Sequence, residues 1–246
     1  AQIDADLLYR CYNAFYNPAN MAVTVAGNFD PEAAERILNE EIKPLKPRAV
    51  ERPAVDEPPE AVCHEVVKQL DVSEPIFYFG WKQAPCADPA EELRQQIIFN
   101  ILLDVLSGPT SDFYEKMNRA GLLNQTFGSE VFAGRSYRAL FFGGESKDPR
   151  AVFAAFCEML EEKKRDGLSE EEFAGCKNAL YGRALRDIND VETTANALFA
   201  YEMMGLSLYD VPEVIASVTI EEVSRALQEG FAPEARAISI VEPNAR

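Results

Sequence analysis

The chain is poor in the residues from which hydrolytic and metal sites are usually built. It carries one histidine, His64, in 246 residues. A helical HExxH zinc site needs a second histidine one turn on, and Lys68 stands at that position. A Ser-His-Asp triad would also have to use His64, and no GxSxG elbow accompanies it. The alternation in Cys63-His64-Glu65-Val66-Val67-Lys68 predicts a strand carrying an exposed or edge histidine. Neither GxxxxGK[ST] nor GxGxxG occurs, and Gly143-Gly144 is followed by Glu145, which repels an anion. The five cysteines (Cys11, Cys63, Cys86, Cys157 and Cys176) are far apart and form no CxxC pair. They are expected as reduced core thiols of a cytosolic protein, without a structural zinc.

Basic residues are also scarce. Lys and Arg number 24 against 41 Asp and Glu, for a formal net charge of −17. Nucleic-acid and anionic-membrane binding need clustered cations. The densest basic run, Lys163-Lys164-Arg165, follows Glu161-Glu162 at a predicted helix end, where cations complement the dipole. No apolar run approaches the ~18 residues needed to cross a membrane. The opening Ala1-Gln2-Ile3-Asp4 leads straight into a helical pattern, so it is read as mid-protein rather than as a signal peptide.

What is present describes an ordinary globular chain, 47% hydrophobic and 26% charged. Leu7, Leu8, Cys11, Tyr12 and Phe15 recur at helical spacing behind Asp4, a suitable N-cap. The apolar run Met21–Ala26 reads as a buried strand, and Asp30-Pro31 opens a helix running to about Ile42. Pro44, Pro47, Pro53, Pro58 and Pro59 among charged residues predict an extended linker. Beyond it come strands near 61–71 and 75–83, then a long helix capped by Asp88-Pro89 and a short helix from Ser111 closed by Gly121. A hairpin is expected from strands near 125–133 and 136–145. Helices then open at Asp148-Pro149 and at Ser169, where Ser169-Glu170-Glu171-Glu172 reads as a capping box. Further helices span about 191–204, 210–217 and 219–229, and Ala237–Val241 forms a last strand. The fold class expected is α+β, an antiparallel sheet with helices packed on one face, preceded by a helix–strand–helix unit.

Phe15-Tyr16-Asn17-Pro18-Ala19-Asn20-Met21, the β-rich run after it and Gly27-Asn28-Phe29-Asp30-Pro31-Glu32 resemble the signature in which M16 (pitrilysin/insulinase-like) zinc peptidases join their two halves. Ser107-Gly108-Pro109-Thr110-Ser111-Asp112-Phe113-Tyr114 resembles the family's Gly-rich helix entry, and Gly121-Leu122-Leu123 the segment that follows it. Thr110–Glu115 and Gly143–Pro149 are similar to stretches of the YmfH-like bacterial branch. The resemblance covers nearly the whole chain. It implies the tail of an N-terminal M16 domain over 1–43, a Pro-rich linker over 44–60 and a C-terminal M16-like domain over 61–246.

The resemblance implies no zinc ligand here, because the family's inverted HxxEH motif and distant Glu belong to the N-terminal half. Zinc is expected only there, and no cofactor in this chain. In active members the C-terminal half supplies an Arg and a Tyr that hold the substrate backbone. The Arg position falls at Asn118 or Arg119 and the Tyr position near Gln125 or Thr126, so the pair is broken or displaced. Arg119, Arg135 and Tyr137 are the candidate substrate-binding residues, although the last two lie just beyond on a strand and read more readily as ordinary strand-surface side chains. The function implied is the non-catalytic half of a zinc metallopeptidase, closing over peptide while zinc chemistry resides elsewhere. The alternative is a degenerate homologue that acts as a binding or partner subunit without proteolysis. The partners expected are a peptide or a second M16-like subunit, in a homo- or heterodimer, in the cytoplasm.

Overall fold

The computed structural model describes residues 3–42, 57–134 and 136–244. Most of the expected linker, residues 44–56, lies outside the described residues, as do Lys43 and Arg135. The elements in chain order are α1 (Ala5–Phe15), α2 (Pro31–Glu41), β1 (Glu65–Leu70), β2 (Ile76–Gln83), α3 (Pro89–Ser107), α4 (Asp112–Arg119), β3 (Gly128–Gly134) and β4 (Tyr137–Glu145). They continue with α5 (Pro149–Asp166), α6 (Glu170–Asp187), α7 (Val191–Met204), α8 (Val211–Ser217), α9 (Ile220–Glu229) and β5 (Arg236–Pro243). Two compact units result: Ala1–Ala54 with Leu185–Asp210, and Val55–Ala184 with Val211–Arg246.

Local chemistry sets the helix boundaries. Asp4, Asp30, Asp88, Asp148 and Asp190 each cap a helix by accepting a backbone N–H with the side chain. Proline follows at the first helical positions of α2, α3 and α5, where its missing N–H costs nothing. Ser169 and Glu172 exchange hydrogen bonds across the start of α6, and Thr219 with Glu222 forms a full capping box on α9. Gly121 ends the α4 region with φ +67°, a conformation that costs other residues strain.

The larger unit is built on one five-stranded sheet in the order β1-β5-β2-β4-β3. The expectation of an antiparallel sheet holds for three of the four pairings. The fourth, β1 with β5, is parallel, because the two strands are joined through the whole length of the unit rather than by a hairpin. Helices cover one face. There Phe77, Phe79 and Trp81 of β2, Leu140 and Phe142 of β4, and Ile238 and Ile240 of β5 are buried. Phe156 of α5 packs into this layer, its ring centroid 4.4 Å from Phe142 and 5.0 Å from Phe79. On the other face side chains alternate outward, with Tyr78 52% and Phe132 50% exposed.

Two strand glycines mark close approaches. A Cβ on Gly143 would lie 2.4 Å from the Tyr78 ring, and one on Gly144 2.8 Å from the Phe127 backbone. The pair sits inside β4 because neighbouring groups need the space.

The smaller unit corrects one expectation, and the cysteines of both units correct another. Met21–Ala26 does not form a strand in the sheet, and Met21, Val23 and Val25 are exposed at 53%, 56% and 45%. No described strand pairs with this segment, and β-branched residues alone cannot make a ladder. Its other face, through Thr24 Oγ1, donates to the Ala195 carbonyl of α7 at 2.9 Å. Helices α1, α2 and α7 contain no buried residue. The cysteines are likewise not core thiols. Cys11 and Cys63 are exposed, and Cys86, Cys157 and Cys176 are half-buried. Cys11 lies on α1, which buries nothing, and Cys63 precedes β1, whose residues are all exposed.

Candidate functional site

In the larger unit a cleft of about 880 Å³ opens between the end of β2, the start of α3, the start of β4 and α9. Its floor is an ionic network pinned in the core. The Arg138 side chain is 6% exposed, and its Nη1 donates to Glu92 Oε2 at 2.8 Å. Nη2 donates to the Ala84 carbonyl at 2.6 Å, and the guanidinium lies 5.3 Å from the Phe99 ring centroid. Glu92 is further held by the Cys86 backbone N–H at 2.7 Å and the Gln96 amide at 3.1 Å. Each charge thereby faces its opposite, which a buried pair requires, while Arg138 Nε is buried without a hydrogen-bond partner among the described residues.

The wall is made by α3 and α9. Arg94 donates Nε to Glu222 Oε1 at 2.9 Å and Nη2 to Oε2 at 2.8 Å, a bidentate fork. Its Nη1 also reaches the Ser217 hydroxyl at 2.8 Å. Partial burial alone would raise the Glu222 pKa. The Thr219 backbone N–H and Arg94 outweigh that effect and hold the carboxyl below the usual carboxylate range. Across the opening, Lys82 binds the Pro58 carbonyl at 2.6 Å and Glu57 at 3.1 Å.

This wall carries a pH prediction. A carboxyl with a depressed folded pKa adds stability above its unfolded value, about 4.3, and that stability is lost as pH falls through the folded pKa. Glu222→Gln cannot titrate there. The melting-temperature gap between parent and variant should therefore be widest near neutral pH and shrink on acidification towards pH 3. A gap independent of pH would assign the effect to packing alone.

Of the candidates named from sequence, Tyr137 lines this cleft and stacks on Phe132, with ring centroids 5.2 Å apart. Arg119 does not line it; it ends α4, exposed, and pairs with Glu115 one turn back. Arg135 lies outside the described residues. Sequence reasoning passed over Arg138, Glu92, Arg94 and Glu222. Arg138 did carry a signal: it alternates with Leu140 and Phe142, so the strand period places it facing the core. His64 is elsewhere, beside the start of β1, with Nδ1 2.8 Å from the Arg236 carbonyl oxygen.

The charges named in the cleft are paired with one another, which fixes its floor and wall. Among the described residues no cluster of three or more His, Cys, Asp or Glu side chains could bind a metal ion. Burial pushes the Cys157 thiol up, and the Cys176 thiol up to about 11, so both stay protonated at neutral pH. The basic run Lys163-Lys164-Arg165 is consumed by pairs to Glu172, Glu161 and Asp166.

The sequence profile of the peptidase M16 inactive domain matches residues 2–180. The chain belongs to this M16 inactive-domain family. It is 28% identical over 247 aligned positions to the uncharacterized zinc protease YmfH of Bacillus subtilis, covering 99% of this chain and 58% of that protein. An M16-like peptidase structure from Alicyclobacillus acidocaldarius superposes with a TM-score of 0.88 at 25% identity, over 98% of this chain and 59% of that one. The peptidase M16 inactive domain of Pseudomonas fluorescens shares the fold alone, with a TM-score of 0.66 at 15% identity over 89% and 52% of the two chains. This M16 domain thus spans under three fifths of the first two relatives. No helix among its described residues is long and apolar enough to cross a membrane.

Proposed function

We propose that this M16 domain is the non-catalytic half of a zinc metallopeptidase, which closes over an extended peptide while zinc chemistry resides in an N-terminal domain outside the chain. The observation that carries the reading is the partial coverage of YmfH. Nearly every residue here aligns, yet 42% of a protein named as a zinc protease remains unmatched, 100% less the 58% covered. On this reading residues 1–43 are the tail of the N-terminal domain, 44–60 the linker and 61–246 the C-terminal domain. Arg119, Arg135 and Tyr137 would face the peptide, and the reducing cytoplasm suits five free thiols.

The exposed run Met21, Val23 and Val25 supports that division, since alternating apolar residues without a ladder partner are what a strand looks like away from its sheet. Joining the chain to its upstream polypeptide should yield a protein that binds zinc stoichiometrically and cleaves unstructured peptides. It should also slow amide exchange across 21–26. Zinc binding measured by elemental analysis separates the readings: a longer protein without zinc removes the catalytic half of the proposal.

A degenerate partner subunit is the second reading. It is favoured by Arg119, whose guanidinium is engaged by Glu115 and which is followed by no tyrosine near Gln125 or Thr126. Co-expression with an M16 subunit carrying an intact HxxEH motif should then raise that subunit's peptidase rate.

A further inference from the structure

The uncovered face of the sheet carries a second, smaller pocket of about 190 Å³, distinct from the charged cleft. It lies against β3, the last strand in the sheet order, and is lined by Tyr78, Phe141, Glu130, Thr126 and backbone at Gly128 and Gly143. Register explains why these groups meet. Glu130 stands opposite Phe141, which stands opposite Gly80, and Gly128, Gly143 and Tyr78 form the next row. The glycines leave room for rings to lie flat on the sheet: a Cβ on Gly80 would be 2.9 Å from Phe141 Cδ1, and one on Gly143 2.4 Å from Tyr78 Cδ1. Two aromatic side chains and a carboxylate therefore border a recess about the size of one long side chain. Glu130 forms no ion pair among the described residues. The next outward residue of β3, Phe132, stacks on Tyr137 and lies 6.0 Å from Phe141, so an aromatic surface continues along the edge.

We infer that this recess receives the Lys or Arg side chain of an extended peptide laid along the outer edge of β3. Three features point to a cation. Aromatic faces attract cations, Glu130 supplies a negative charge that no described residue pairs with, and a net charge of −17 draws cationic partners. Strand geometry adds a second specification. An added strand places alternate side chains on one face, so the residue two positions from the cation meets Phe132 and is apolar or aromatic. The inference deepens the peptide-closing role proposed above and rests on it for the nature of the occupant.

Binding to the 246-residue chain itself tests it, read by fluorescence anisotropy with a labelled decapeptide of Thr and Ser containing one Lys-Thr-Phe sequence. The expected result is saturable binding that weakens at least tenfold when the peptide lysine is replaced by glutamate. Glu130→Gln and Tyr78→Leu should each weaken the lysine peptide about fivefold, the scale of one cation–π or ion-pair contact. Glu158→Gln removes the same charge from the exposed side of α5 and should leave binding unchanged. Circular dichroism confirms that each variant is folded. Equal losses in Glu130→Gln and Glu158→Gln would reduce the effect to overall charge and overturn the site, as would binding that ignores the lysine or no binding at millimolar peptide. The assay needs neither zinc nor cleavage. A longer protein that proves inactive would therefore sink the peptidase reading while leaving this measurement to decide the site.

Discussion

Glu92→Gln should destabilise the larger unit by about 3–5 kcal/mol, the cost of breaking a buried ion pair by removing one partner. Arg138 is 6% and Glu92 9% exposed, so the guanidinium left behind cannot recover its charge compensation from water. The Ala84 carbonyl would remain as an acceptor on Nη2, but it is neutral. Glutamine keeps an oxygen for the Cys86 N–H, and its NH2 can donate to Gln96 if that amide turns over, so the loss is chiefly that of the charge. For a chain of 246 residues, this corresponds to a fall in Tm on the order of 10 °C. The double variant Arg138→Met with Glu92→Gln is the informative partner. It removes both charges and should recover part of the loss, because no uncompensated charge is left buried, although the Ala84 carbonyl loses its donor. Urea midpoints of the parent, the two single variants and the double variant give the coupling directly. A loss under 1 kcal/mol in Glu92→Gln would mean that water reaches Arg138 and that the floor of the cleft is open.

The same pair shows what could be read from sequence and what could not. Helix starts were legible because a cap is a local event: Asp88, Asp148, Ser169 and Thr219 act within three residues of themselves. The strands β2, β4 and β5 were legible because alternation survives without knowledge of neighbours. Partnership was not. Glu92 and Arg138 are 46 residues apart, Arg94 and Glu222 128 apart, and nothing local announces either pairing. The parallel placement of β1 beside β5 is hidden for the same reason. Met21–Ala26 failed in the opposite sense. Its composition states strand unambiguously, but a strand is a relation between two segments, and no described residue supplies the second. The recess beside Glu130 also needed the register, which alone puts Phe141 over Gly80 and Tyr78 over Gly143.

Both candidate surfaces depend on the sheet holding its shape, and Phe156 is the side chain on which that most depends. It is fully buried, and its ring meets Phe142 at 4.4 Å, Phe79 at 5.0 Å, Phe113 at 5.3 Å and Trp81 at 5.8 Å between centroids. These partners come from β2, β4 and α4, so one side chain of α5 ties three elements together. Phe156→Ala should cost about 3–5 kcal/mol through lost burial and the cavity left among rings that cannot collapse around it. Phe156→Leu refills most of the volume but loses the edge-to-face contact with Phe113, 88° between planes. It should cost about 1–2 kcal/mol, the aromatic share of the contact. The ratio between the two variants matters more than either value. If alanine and leucine cost the same, ring geometry rather than volume holds α5 to the sheet. If leucine is nearly silent, filling is enough. Near-ultraviolet circular dichroism of Trp81, the sole tryptophan, reports the same event from inside the layer, and its signal should weaken in Phe156→Ala well before the helical signal changes.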